Sequence, residues 1–147
     1  MKIQGTYTVA AARDAVWAAL MSPEALSHAL PGCEKFEPDP AGGFRVLMKV
    51  GIAAISGRYE GHVEIQDPVP PQSYRLKVEA KGTGGFVRGE GLLSLSEDAG
   101  KTNIGYSGEV QIGGPIAAAG QRLIQAATRQ IVNQFFQSLA KQIPAAS

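Results

Sequence analysis

"PIAAAGQRLIQAATRQIVNQFFQSLAKQI", residues 115–143, decides the fold. Apolar residues recur there every three or four positions, so the segment reads as helix from Pro115 to Ile143, about 40 Å at 1.5 Å per residue. The apolar positions fall into two stripes. Ile116, Gly120, Leu123, Ile124, Ala127 and Ile131 make the first. Val132, Phe135, Phe136, Leu139 and Ile143 make the second, rotated by roughly a quarter turn at 100° per residue. One straight helix cannot set both stripes against the same sheet. Either the helix bends or the core widens at its end, or part of the second stripe is exposed. In the last case Val132, Phe136, Leu139 and Ile143 form a docking patch for a partner or a membrane surface.

What precedes this helix is almost all strand. Lys2–Val9 alternates, with Ile3, Gly5, Tyr7 and Val9 on one face. Val16, Trp17 and Leu20 then fall at helical spacing among alanines. Ser22-Pro23-Glu24 is a helix start: a serine cap, a proline in the first turn and a carboxylate beside the helix dipole. That second short helix ends at Pro31-Gly32. From Cys33 the period is two. Phe44–Ile52, Arg58–Ile65, Tyr74–Ala80, Gly89–Glu97 and Thr102–Ile112 alternate between polar turns, which describes an antiparallel meander with one wet face. Helices segregated from an antiparallel sheet give an α+β fold, with a curved sheet wrapped round the long helix. Residues 1–147 read as one domain of ordinary size.

Eighteen glycines are many for this length, and most lie in or beside strands. Glycine inside a strand marks a bend or a close approach. Such a sheet curls strongly and leaves space on its concave side. "GTGGFVRGEG" (82–91) lacks the lysine and helix of a phosphate loop and reads as a glycine-rich bend carrying Phe86.

The chain is poor in chemistry. Its 14 basic and 13 acidic residues give a net charge of +1, which offers no cationic face for nucleic acid. The single cysteine allows no internal disulfide and no structural zinc site. No signal-peptide core and no run of about 18 apolar residues occurs, so the expected location is cytoplasmic, with the inner membrane face open as a peripheral site. Cys33 and His28 flank a Pro-Gly turn and are the one nucleophile–base pair to weigh. No Asp or Asn nearby orients the histidine, so a small buried thiol is the better reading. His62 shares a strand face with Glu60 and Glu64. That face lies opposite Tyr59, Val63 and Ile65 and should be solvated rather than metal-binding. No metal or cofactor is called for.

Three stretches carry a family resemblance: "VWAALMSPEALSHALPGCEKFE" (16–37), "GRYEGHVEIQDPVPPQSYRLKVEAKGTGGFVRGEG" (57–91) and "GGPIAAAGQRLIQAATRQIVNQFF" (113–136). Together they resemble the CoxG family of carbon monoxide dehydrogenase subunits, within the START-like (SRPBCC) superfamily. The resemblance implies a helix-grip fold, with seven antiparallel strands around a long C-terminal helix and a deep apolar cavity. It further implies an accessory protein, not an enzyme, that accompanies molybdenum hydroxylases and is associated with their membrane recruitment.

The expected function is non-catalytic binding of a lipophilic small molecule, a quinone or isoprenoid-like lipid, for presentation to such a hydroxylase. The expected lining is Leu30, Phe36, Phe44, Met48, Ile55, Tyr59, Phe86, Tyr106, Leu123, Ile124 and Ala127, with a tyrosine hydroxyl free to hold a carbonyl. Pro31, Gly32 and Cys33 are expected to hinge a lid formed by the short second helix. Hydroxylase subunits, the membrane surface and a second copy of the chain are the macromolecular partners considered. A docking module with no specific ligand and a START-like cyclase or hydrolase are the rival readings.

Overall fold

A computed structural model describes residues 1–52 and 55–144. Among them are strands β1 (Lys2–Val9), β2 (Cys33–Pro38), β3 (Phe44–Val50), β4 (Gly57–Val69), β5 (Ser73–Gly82), β6 (Gly85–Asp98) and β7 (Lys101–Gly113). Helices α1 (Arg13–Leu20) and α2 (Pro23–Ala29) follow β1, and α3 (Gln121–Lys141) closes the described chain. The seven strands form one antiparallel sheet in the order β1-β7-β6-β5-β4-β3-β2. Only β1 is out of sequence order. It pairs with β7, so the first and last strands lie side by side at one end of the sheet order. This is the helix-grip arrangement that the resemblance implies.

Local chemistry sets the helix ends. The Ser22 side chain accepts from the Ala25 amide at 3.2 Å, which caps α2 as its sequence predicts. Helix α1 has no cap of its own. Its Arg13 amide donates instead to Glu97 Oε1 of β6 at 2.6 Å, and the buried Thr102 hydroxyl donates to Ala11 O at 2.7 Å. The start of α1 is thereby tied to the β6–β7 hairpin.

The long helix starts later than its pattern predicts. Residues Pro115–Ala119 form a 3₁₀ turn, and Gly120 at φ +93° separates it from α3. Pro115 and Gly120 bracket too few residues for an α-helix to establish itself. Gly120 takes the left-handed conformation that redirects the chain. The 3₁₀ turn is held by the Ile116 amide, which donates to Gly84 O at 2.7 Å.

The docking-patch expectation is overturned. Phe136 is 2% exposed and Leu139 is fully buried, while Val132 and Ile143 pack half-buried against the same core. Phe136 stacks on Tyr7 with ring centroids 5.4 Å apart and meets Tyr106 at 5.7 Å. The second stripe is rotated because α1 and α2 lie against this half of α3. Val16, Leu20, Leu26 and Ala29 close the core from one side, and Leu93, Leu95 and Ile104 close it from the sheet. The helix needs a wider apolar arc wherever three layers meet.

Phe136→Ala should therefore cost about 3–5 kcal/mol in chemical denaturation. Phe136→Glu should abolish the cooperative transition. A Phe136→Glu variant with unchanged stability would return this stripe to the surface.

Candidate functional site

The packed core occupies the α1–α2 end of the sheet. A second buried group lies towards the start of α3 and stands apart from that core: Tyr59, Val46, Ile116, Ile124 and Ala127. Between the two groups the concave face is thinly furnished. Cross-strand neighbours Gly89 and Val110, Gly91 and Gly108, and Gly61 and Ala80 put small residues where others would fill space. The inward-facing Met48, Val63, Val78 and Ile112 are only half-buried. A methyl group on Gly61, Gly91 or Gly108 would lie 2.6–2.9 Å from a backbone carbonyl of the neighbouring strand, so these glycines also let the strands close up as the sheet curls. Gly89 differs. A Cβ there meets only ordinary contacts at 3.6 Å, so its missing side chain leaves usable space.

A cleft of about 280 Å³ lies between the middle of α3 and the end of β3, lined by Pro31, Gly32, Lys49–Ile52, Gln130, Ile131 and Gln134. Val50, Ile52 and Ile131 supply apolar surface, and the Gln130 and Gln134 amides supply hydrogen-bond donors. The volume suits a ring-sized head group, and a longer tail would have to lie along the concave face.

Of the expected lining, Phe36 and Phe44 stack at 4.9 Å, and with Met48, Tyr59, Tyr106, Ile124 and Ala127 they lie on the inner face or on the side of α3 towards it. Leu30 sits at the end of α2 beside the cleft rim. Tyr59 is 7% exposed, and burial pushes its hydroxyl pKa up. That hydroxyl donates to Ile55 O at 2.8 Å. Its one proton is thus committed to the chain, and a ligand carbonyl would need another donor.

Two expected lining residues are misplaced. Phe86 lies in β6, not on a bend, because the turn is confined to Thr83-Gly84. Its alternation points it to the outer face, where it is 42% exposed with the Arg88 guanidinium 5.7 Å from its ring centroid. Leu123 is 58% exposed, because α3 begins only at Gln121 and turns that residue outward. Sequence reasoning missed the cleft itself. Val50, Ile52 and Ile131 were visible as strand and helix positions. Nothing in a linear pattern brings Gln130 and Gln134 opposite Lys49.

The Pro31-Gly32 turn forms the cleft rim. Gly32 has φ +68°, and its carbonyl accepts from the Lys49 amide at 2.8 Å. A Cβ at Gly32 would collide with Lys49 O, so only glycine lets the turn seat against β3. The geometry is that of a pinned rim. Cys33 and His28 do not form a catalytic pair. Cys33 Sγ lies 3.4 Å from Lys35 O, and burial pushes its thiol pKa up, away from the thiolate a nucleophile needs. His28 Nδ1 donates to Glu24 O at 2.9 Å within α2. His62 Nε2 donates to Gly42 O at 2.6 Å, with Asp39 Oδ2 at 3.8 Å, and braces the β2–β3 hairpin. Among the described residues, no group of three or more His, Cys, Asp or Glu is placed to hold a metal ion. No helix among them is long and apolar enough to cross a membrane.

Comparison with known proteins agrees with this architecture. A conserved protein from Geobacillus kaustophilus has 30% identity and a TM-score of 0.93, over 97% of this chain and 94% of that one. The Zhui aromatase/cyclase from Streptomyces sp. R1128 has 18% identity and a TM-score of 0.68, over 97% and 92%. Truncated norcoclaurine synthase from Thalictrum flavum has 16% identity and a TM-score of 0.69, over 100% and 95%. The last two likenesses establish the START-like, helix-grip fold alone. No curated protein matches the sequence. The model of the CoxG family of carbon monoxide dehydrogenase subunits matches residues 5–144, and the chain belongs to that family.

Proposed function

We propose that this chain binds a lipophilic small molecule, a quinone or isoprenoid-like lipid, and presents it to a carbon monoxide dehydrogenase-type molybdenum hydroxylase without performing chemistry itself. The observation that carries the reading is the polar-rimmed cleft opening beside an under-filled, apolar concave face. Family membership supports the accessory role. In this reading the head group sits in the cleft, where Gln130 and Gln134 donate to its carbonyl oxygens. The tail lies across Gly89 and the valines of the central strands.

Catalysis by the interior would need a group that takes or gives a proton near neutral pH. Apart from tyrosines, the one buried polar residue among those described is Thr102, and its hydroxyl is engaged with Ala11. The tyrosines do not fill the role. Burial pushes the hydroxyls of Tyr59 and Tyr74 further from neutrality.

Titration with decylubiquinone and a short-chain menaquinone analogue, followed by the fluorescence of Trp17, tests the reading. Gly89→Leu, whose Cβ meets only ordinary contacts, projects into the concave face and should weaken binding at least tenfold while the fold is kept. Saturable binding that Gly89→Leu leaves unchanged would contradict it. The Cys33→Ala, His28→Ala double variant should bind the analogues like the parent chain. Loss of binding in that variant, with its fold intact, would bring the pair into the site.

A further inference from the structure

We infer that the outer face of α3 is a docking surface for an acidic protein helix, seated next to the cleft so that the ligand passes directly between proteins. A shallow, open groove runs along this face, its lining drawn from α3 alone: Arg122, Arg129, five Asn or Gln side chains and Ala126. It shares Gln130 and Gln134 with the cleft. Whatever occupies the groove stands at the cleft opening. The passage of ligand rests on the lipid-carrier reading; the docking surface does not.

Charge points to the occupant. The whole chain is nearly balanced, yet no Asp or Glu follows Glu109 in the sequence. Neither groove nor cleft has a carboxylate in its lining, while Arg122 and Arg129 both stand in the groove. Among the described residues, neither arginine is in an ion pair. The two lie seven residues apart, about 10 Å along the helix, and each offers a free fork for a carboxylate. A partner helix with acidic residues at the same spacing meets both.

Stability does not account for these residues. A helix N-terminus favours a carboxylate and disfavours a cation. Helices α1 and α2 follow the rule, with Asp14 and Glu24 in their first turns. Helix α3, the longest, has no acidic residue and no side-chain cap there, and places Arg122 in its first turn.

A bilayer is the weaker occupant. Each cation near an anionic surface adds about fivefold in binding, so two arginines add roughly 30-fold, less than a single acyl chain supplies. The groove also presents amides and one alanine, not apolar side chains for insertion. Amides suit the directional hydrogen bonds of a protein surface.

The test measures binding of the full chain to a purified carbon monoxide dehydrogenase-type hydroxylase by interferometry, at low and moderate salt. The R122E/R129E variant should lose at least tenfold in affinity, and the parent's binding should weaken as salt rises. R122E alone should raise the melting temperature by about 2–4 °C, because it corrects the helix terminus. Absence of binding, or an affinity that R122E/R129E leaves unchanged, overturns the surface. So does charge-dependent sedimentation with phosphatidylglycerol vesicles while hydroxylase binding stays unaltered. Organic extraction of the same samples separates the two ideas. Arginine-dependent docking with no extractable lipid removes the carrier reading alone, and lipid with arginine-independent docking removes this surface alone.

Discussion

Phe136 packed between Tyr7 and Tyr106 is the contact on which the architecture depends. It fastens the second half of α3 to β1 and β7, the first and last strands, which pair with each other. The start of the helix is anchored differently, through the Ile116–Gly84 backbone hydrogen bond of the preceding 3₁₀ turn and a long contact from Gln125 to Lys2 O. Fixed at both ends, α3 spans a stretch of sheet where Gly61, Ala80, Gly89, Gly91 and Gly108 take inner positions. Small side chains beneath a held helix leave space that a uniformly packed core would close. The cleft beside Ile131 lies against the middle of this same helix.

Much of the fold was legible because its signals are periodic and local. Alternation from Phe44 to Ile112 specified a meander, and Ser22-Pro23 specified a helix start that the Ser22–Ala25 hydrogen bond realises. The two stripes on α3 were also read correctly as incompatible with a single flat contact. Which way they resolved was not local information. The second stripe is buried because α1 and α2 fold back over it, and no feature of residues 132–143 encodes the position of residues 13–29. Phe86 shows the same limit at smaller scale. A run of glycines does not reveal which two residues make the turn, and a shift of that turn decides whether Phe86 faces in or out.

The site was legible only in outline. Apolar strand positions and abundant glycine pointed to a concave, under-filled face, and the residues nominated from β2, β3, β4 and α3 fall mostly on it. Its opening is a product of tertiary structure. Gly32 seats against Lys49 through a left-handed turn, which brings the end of β3 towards the glutamines of α3. The residues at the Pro-Gly turn that invited a catalytic reading serve this seating. The thiol is pushed towards its neutral form, and the histidine is spent on its own helix.

The central claim is that the concave face beside α3 holds a lipophilic molecule. The most direct measurement is the native mass of the purified protein, followed by organic extraction and identification of what leaves it. A near-stoichiometric adduct that extracts as a quinone or isoprenoid lipid is the predicted result. A bare mass that stays bare after incubation with ubiquinone and menaquinone analogues would contradict the claim.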